Sequence, residues 1–553
     1  MDEQLPLIVQ SDLTLLLEVQ SSLFEETRKA IAPFAEIVKS PEYIHTYQIT
    51  DLSLWNAASS GISSQEVMER LQRYTKFPVS KGILEKIQNT MSRFGSVEIH
   101  PNGGDLLLKT RDAALMELIR LRKPIAQFCQ KDLDPVTTSI RAADRGLVKQ
   151  ALIREGYPAL DFAGYSGGEK LSQPVMFRED RLLRDYQRMA CDAFCDSGSK
   201  IGGSGVIVLP CGAGKTIVGM AVLTRMNTHT LILTTGTTSI HQWKQELIRK
   251  TTLDESDIGE YSGEQKQIRP VTISTYQMLT SRRGQNSEFL HFDIFNACPW
   301  GLIIYDEVHL LPAQVFQFSA SVQAVRRLGL TATLIREDRR ETDVFSLIGP
   351  KCFDIPWREI ERQGWIAQTK CTEIRVPLIE QTRMDYARAE KRERFRIAAE
   401  NSMKQKAISE LLETHTEDSI LIIGQYVEQI QSIAKSFEIP CIHGKTPQHQ
   451  RDAIYDRFRK GLEKRIVVSS VANFALDLPN ATVAIQVSGK FGSRQEEAQR
   501  LGRILRPKED GRTAHFYTLV SEGTDEQEFA FKRQLFLIEQ EYQYEMRYHG
   551  NIR

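Results

Sequence analysis

From Arg181 onward, short apolar runs alternate with amphipathic stretches. A first series holds Val206-Ile207-Val208-Leu209, Leu231-Ile232-Leu233 and Leu302-Ile303-Ile304-Tyr305. A second holds Ile420-Leu421-Ile422-Ile423, Ile466-Val467-Val468, Val483-Ala484-Ile485 and Phe516-Tyr517-Thr518-Leu519-Val520. Runs that are apolar at nearly every position suit strands buried on both faces. Such strands, separated by helices, build parallel sheets. The two series are interrupted between about residues 355 and 415, so the pattern predicts two α/β domains in tandem, over residues 179–356 and 357–553.

The remaining length has a different texture. A chain of 553 residues is too long for one core. In residues 1–115, Ser63-Ser64-Gln65-Glu66 reads as an N-cap before a helix, and a second helix fits 81–94. Val97-Glu98-Ile99-His100, a turn at Pro101-Asn102-Gly103-Gly104, and Asp105-Leu106-Leu107-Leu108 follow as strand, turn and strand. Helices followed by a hairpin predict a small α+β, winged-helix-like accessory domain; a protein-docking module fits equally well. Residues 116–178 read as a connecting region, punctuated near its end by Gly156-Tyr157-Pro158 and by Gly164, Gly167 and Gly168. The charged stretch 384–406 reads as a solvated helix between the α/β domains.

Composition excludes several classes. Basic and acidic residues number 71 each, so net charge argues nothing for a nucleic-acid partner and local distribution must carry that case. Basic residues do concentrate between Arg451 and Arg512. The eight cysteines form no C-x-x-C pair and have no histidine cluster beside them, which argues against zinc or iron–sulfur sites. Cys191 and Cys195, one helical turn apart, read as small buried hydrophobes. Scattered thiols, a start without a signal-peptide pattern, and the lack of a run of about 18 apolar residues predict a cytoplasmic protein without a membrane partner.

The chemistry lies at the ends of the apolar runs. Leu209-Pro210-Cys211-Gly212-Ala213-Gly214-Lys215-Thr216 joins a strand to a helix, the setting of a phosphate loop. Small residues at Cys211, Gly212, Ala213 and Gly214 let backbone N–H groups curl around phosphates. Lys215 is expected to neutralise phosphate charge and Thr216 to ligate Mg²⁺. Leu209 stands where the common pattern has its first glycine, while the G-x-G-K-T core is intact. Asp306 and Glu307 end a hydrophobic strand 91 positions after Lys215 (306 − 215) and are followed by Val308 and His309. Asp306 suits coordination of Mg²⁺, Glu307 suits polarising an attacking water, and His309 suits sensing the γ-phosphate. Farther on, Gln499-Arg500-Leu501-Gly502-Arg503-Ile504-Leu505-Arg506 sets Arg503 and Arg506 on one helical face, as arginine fingers or as an ordinary basic surface. Upstream, Arg184 and Gln187 stand before the first strand, and Gln187 has the donor and acceptor needed to read an adenine edge.

In this order the motifs resemble superfamily 2 helicases, and more closely the XPB family in its shorter microbial form. Leu330-Thr331-Ala332-Thr333-Leu334-Ile335-Arg336-Glu337-Asp338 is similar to that family's third motif joined to its R-E-D element. Phe474-Ala475-Leu476-Asp477-Leu478-Pro479 is similar to its fifth motif, with Ala475 where many helicases have glycine. The run from Gly492 to Arg503 also matches. The resemblance covers about residues 180–530. It implies two RecA-like domains, ATP and Mg²⁺ as cofactors, and an ATP-dependent DNA helicase moving 3′ to 5′ in nucleotide excision repair. It also implies a thumb-like insertion near residues 384–406 and Asp477 at the nucleotide. DNA is the implied partner, with a nuclease or other repair proteins as candidate protein partners.

Both α/β domains are then expected to supply groups to one ATP, with Lys215, Thr216, Asp306 and Glu307 from the first and Gln499, Arg503 and Arg506 from the second. Strand contacts are expected from Thr235, Gln242, Trp243, Ser274, Thr275, Ser469, Ser470 and Asn473, whose hydroxyls, amides and ring suit contacts without sequence information. For Trp243 a core position is the competing reading. By resemblance Thr331, Thr333, Arg336, Glu337 and Asp338 act on the strand or at the duplex fork. The same motifs fit a duplex translocase that moves without separating strands, an RNA-directed motor, or a scaffold with a decayed nucleotide site.

Overall fold

The computed structural model describes every residue outside 1–4, 40–42, 179–182, 196–202, 211, 282–289, 313–314, 316–321, 324, 333–340, 356, 366, 470–480, 490–512, 540–541, 543 and 550–553. The chain divides into two compact units, one of residues 1–209 and 214–354, the other of residues 355–553 with the short stretch 210–213.

The first unit opens with an antiparallel sheet in the order Leu7–Val9, Thr14–Glu18, Ile44–Gln48, Glu36–Lys39. Three helices follow, Asp51–Ser59, Ser64–Tyr74 and Lys81–Arg93. Ser63 caps the second of them, its side chain accepting from the Glu66 N–H at 3.1 Å, as its sequence predicts. The expected hairpin forms between Val97–Asn102 and Asp105–Thr110.

The sheet does not end there. Thr137–Ile140 pairs with the hairpin, Asp132–Asp134 extends that side, and Leu160–Asp161 joins the other. Residues read as a connection therefore belong to a five-stranded sheet, whose core includes Val97, Ile99, Leu108, Ile140, Val148 and Leu152. The polar composition of Asp132–Asp134 hid this, because all three residues of that edge strand are exposed.

The same unit carries a seven-stranded parallel sheet in the order Ile258–Tyr261, Val271–Thr275, Thr230–Thr234, Leu302–Asp306, Arg326–Thr331, Ser204–Val208, Lys351–Asp354. All three apolar runs of the first series lie in its five interior strands. Residues 164–178 strap across this layer through backbone bonds such as Glu169 N–H to Pro299 O and His229 N–H to Glu169 O. The approach is close enough to require glycine. A Cβ on Gly301 would lie 2.2 Å from Thr228 Oγ1 and 2.5 Å from Gly167 O.

The second unit repeats the architecture: Cys441–Ile442, Arg465–Ser469, Ile420–Gly424, Val483–Gln486, Ala514–Ser521, Thr369–Val376, Tyr544–Tyr548, all parallel. These are two RecA-like α/β layers. Stretch 384–406 is not one solvated helix. It is divided among Glu380–Arg388, Lys391–Ala399 and Met403–Thr414. The first has no buried residue, whereas Lys404 is wholly buried and bonds both carboxylate oxygens of Glu526 at 2.8 and 2.9 Å. Among the described residues no helix is long and apolar enough to cross a membrane.

Candidate nucleotide site

The strand Ser204–Val208 runs into a tight turn and the helix Lys215–Met226. Gly212 and Gly214 both take left-handed backbone conformations, φ +82°, which only glycine adopts without strain. Gly214 is fixed a second way. A Cβ there would lie 2.6 Å from Nε2 of Gln187, so the buried Gln187 side chain rests against the phosphate loop. Its Oε1 accepts the Arg184 N–H at 3.1 Å, and the Arg184 guanidinium donates to the Tyr186 hydroxyl at 3.0 Å. The upstream pair and the loop are thus one assembly. Helix Lys215–Met226 presents its unsatisfied N–H groups at the end where Lys215 and Thr216 stand, a ready anion site.

Asp306 and Glu307 arrive from the central strand Leu302–Asp306. Glu307 has φ +50°, uncommon for a residue with a side chain, and this turn ends the strand and starts the short helix Val308–Leu310. Lys215 Nζ lies 3.2 Å from Glu307 Oε1, so the two motifs meet. Burial opposes ionisation of Glu307, but Lys215 and then His309 outweigh it and hold its carboxyl below the usual range. Burial and the adjacent Glu307 instead push the Asp306 carboxyl up to about 6, against the pull of Trp243 and Lys215. Glu307 Oε2 is buried without a hydrogen-bond partner among the described residues. His309 Nδ1 lies 3.4 Å from that oxygen, and the carboxylate keeps acceptor capacity beside the glycine turn.

The oxygen donors here, the Thr216 hydroxyl and the Asp306 carboxylate, suit Mg²⁺. That ion takes few protein ligands and keeps waters for the rest of its shell. Among the described residues no cluster of three His, Cys, Asp or Glu side chains is placed to hold a metal ion.

Several residues expected at the strand have other work. Trp243 is buried, 1% exposed, and its Nε1–H donates to Asp306 Oδ2 at 2.8 Å. It orients the acid rather than offering a stacking face. Ser274 is buried, its hydroxyl donating to Tyr261 O at 2.8 Å. Thr275 caps a short helix by accepting the Met278 N–H at 3.1 Å. Thr331 is fully buried, with Oγ1 2.6 Å from His309 Nδ1, which couples the acidic motif to the third motif. Ser469 is also buried. Thr235 and Gln242 are exposed. Cys211, Thr333, Arg336, Glu337, Asp338, Ser470, Asn473, Asp477, Gln499, Arg503 and Arg506 lie outside the described residues.

Two side chains hold Asp306 in a way the motifs did not announce. Tyr276 donates its hydroxyl to the Asp306 carbonyl at 2.8 Å, and Trp243 holds the side chain of the same residue. Neither has a local signal, because each reaches the acid from another element.

Three family models match: "ERCC3/RAD25/XPB C-terminal helicase" over residues 360–550, "Type III restriction enzyme, res subunit" over 181–336, and "Helicase conserved C-terminal domain" over 7–134. The DNA 3′-5′ helicase XPB of Mycobacterium tuberculosis is 50% identical over 544 residues, covering 98% of this chain and 97% of that one. The protein of the same name from Kineococcus radiotolerans is 47% identical, covering 98% and 96%. The general transcription and DNA repair factor IIH helicase/translocase subunit XPB/SSL2 of Saccharomyces cerevisiae is 30% identical, covering 98% of this chain and 71% of that longer one. Likeness at this level, carried along nearly all of both bacterial relatives, means that the chain belongs to the XPB family of DNA 3′–5′ helicases.

Proposed function

We propose that this chain hydrolyses ATP to move 3′ to 5′ on DNA and to separate its strands, in DNA repair of the excision type. The observation that carries the reading is the meeting of Lys215 and Glu307 at 3.2 Å, where the glycine turn and the acid-ended strand converge.

The chain's own groups divide the work. The first N–H groups of helix Lys215–Met226 and the Lys215 ammonium bind phosphate oxygens. Thr216 and Asp306 would hold Mg²⁺, which would supply neutralisation of phosphate charge. Glu307, kept ionised, orients water for in-line attack. His309 passes the state of that carboxylate to Thr331 and so to the segment that follows it. The exposed Thr235 and Gln242 remain strand contacts in this reading. DNA and repair proteins, a nuclease among them, are its partners.

The decisive experiment measures ATPase with single-stranded DNA, duplex DNA and RNA, then unwinding of tailed duplexes of both polarities beside triplex displacement. Stimulation by DNA, with displacement only from a 3′ tail, supports the reading. Triplex displacement without strand separation assigns a duplex translocase, stimulation by RNA alone an RNA-directed motor, and no stimulation a decayed site.

Two variants sharpen it. Trp243→Phe keeps the buried ring but removes one hydrogen bond to Asp306, a loss of about 1.5 kcal/mol for a charged acceptor. Its ATPase should fall about tenfold at limiting Mg²⁺ and recover as Mg²⁺ is raised; a deficit independent of Mg²⁺ refutes the orienting role. Arg336→Ala should impair unwinding more than ATPase, and equal losses would make the R-E-D segment merely structural.

A further inference from the structure

Helix Asp185–Cys195 stands against helix Lys215–Met226, the helix that leaves the phosphate loop. It touches that loop near its start, where the Gln187 amide rests against Gly214. At its other end are two thiols that the ATP chemistry does not use. Cys191 Sγ and Cys195 Sγ are 3.9 Å apart, and either can donate to the other. Gln187, Cys191 and Cys195 follow one another at intervals of four, so the three form one stripe along the helix.

This pair differs from cysteines that merely fill space. Helical geometry sets Cα atoms four residues apart at about 6 Å, inside the range of about 4.4–6.8 Å that a disulfide spans. A cation also stands beside the pair. Arg225, from helix Lys215–Met226, is bonded to Asp192, the residue after Cys191. The Cys195 thiol, and after it the Arg225 guanidinium, hold the Cys191 thiol below its usual range against the effect of burial. Cys191 is buried and Cys195 is partly exposed, so one sulfur is shielded and the other is within reach of a small reagent.

We propose that Cys191 and Cys195 form a dithiol modification site that a peroxide closes to a disulfide, and that closure weakens ATP binding through Gln187. When Cys191 is ionised, Cys195 passes its proton to it, and the Cys195 thiolate attacks one peroxide oxygen. The O–O bond breaks, a sulfenic acid forms on Cys195, and the hydroxide that leaves takes a solvent proton to become water. The Cys191 sulfur then attacks the Cys195 sulfur. The S–S bond forms, the S–O bond breaks, and the hydroxyl leaves with the Cys191 proton as a second water. Both thiols are oxidised and the peroxide is reduced.

Closure draws the sulfurs from 3.9 Å to about 2.05 Å, and the turn 191–195 must move to allow it. That turn is tied on both sides. Asp192 is bonded to Arg225, and the carbonyl of the buried Phe194 accepts the Gly203 N–H at 3.1 Å. The movement is therefore passed back along the helix to Gln187, one turn away. The effect on ATP rests on the reading of the glycine turn as the nucleotide's seat; the closure of the pair does not.

The test treats the full-length chain with a small excess of hydrogen peroxide, blocks the remaining thiols by alkylation and maps the peptides by mass spectrometry. A Cys191–Cys195 disulfide should form. The KM for ATP should rise about fivefold with kcat within about twofold, and dithiothreitol should restore the parent's KM. Cys195→Ser and, separately, Cys191→Ala should match the untreated parent in ATPase and keep that KM after peroxide. Cys129→Ser, in the accessory region, should stay as sensitive as the parent. Lack of a disulfide between the two, a disulfide without a change in KM, or a peroxide effect that survives in both helix variants overturns the proposal. A parent that hydrolyses no ATP before treatment defeats the functional reading, while the peptide map still decides the site.

Discussion

Lys215→Ala is expected to lower ATP turnover by about a thousandfold while DNA binding stays within about twofold of the parent. The magnitude follows from what the ammonium does in this fold. It stands at the start of helix Lys215–Met226 and lies 3.2 Å from Glu307 Oε1, in a site where both side chains are largely shielded from water. A preorganised charge aimed at developing phosphate charge contributes about 3–4 kcal/mol, worth two to three orders of magnitude in rate. The substitution has a second cost. Lys215 is the leading influence that offsets burial at Glu307. Without it the main influence holding the Glu307 carboxyl below its usual range is gone, so burial works against the ionised form that orients water. DNA binding should persist because the exposed strand-facing candidates, Thr235 and Gln242, belong to other elements. The check is steady-state ATPase with saturating single-stranded DNA, paired with a binding isotherm at fixed salt. Turnover within tenfold of the parent removes the phosphate-loop assignment.

The groups that make this site legible in the sequence make it locally. Gly212, Gly214 and Lys215 are consecutive with their turn, and Asp306 and Glu307 end an apolar strand, so spacing alone announces both. All seven apolar runs proved to be interior strands for the same reason, since each is buried on both faces. The strands that went unread are masked by polar residues with partners far along the chain. Thr369–Val376 carries Glu373, only 2% exposed, which pairs with Arg375 and with Gln534, 161 positions away. A charge in the middle of a strand reads as surface until its partner is known. Edge strand Tyr544–Tyr548 is hidden differently, because it is largely exposed and lacks an apolar run. Helix Met403–Thr414 shows the effect again, with Lys404 counted as solvated although Glu526 receives it in the core.

Two of the expected strand contacts have their hydroxyls engaged elsewhere, for a related reason. Ser274 and Thr331 have the right chemistry and sit near the ends of their strands, but their hydroxyls are consumed by Tyr261 and His309. Whether a hydroxyl faces solvent depends on which strand lies beside it, and pairing order is not written in the local pattern. Trp243 is the converse case, a core residue by burial that still serves the site through its one polar atom.

The largest loss of stability is expected from Asp161→Asn, in the accessory sheet. Asp161 is buried and takes Arg145 Nε at 2.9 and 3.1 Å, Arg145 Nη2 at 2.8 Å and Lys149 Nζ at 3.1 Å. Removing its charge leaves two cations buried with no anion on them, a cost of about 3–5 kcal/mol. The pH dependence separates this from a simple packing defect. Burial would raise the Asp161 carboxyl, but Lys149 and Arg145 hold it down at about 2. Its contribution is thus complete above the unfolded carboxylate range near 4 and is lost as pH falls toward 2. Lys149 runs the other way. Burial lowers its ammonium to about 8 even with Asp161 beside it. Between about 8 and the unfolded value near 10.5 the unfolded chain binds more protons, so stability rises with pH there. In the Asn variant that relief must begin at lower pH, since the attraction that sustained the charge is gone. The gap in urea midpoint between parent and variant should therefore be widest near pH 6 and narrow by pH 9, once Lys149 is neutral in the variant and largely neutral in the parent. A gap that stays constant from pH 6 to pH 9 would mean that Lys149 is not held as a charge by Asp161, and the buried network would then be packing alone.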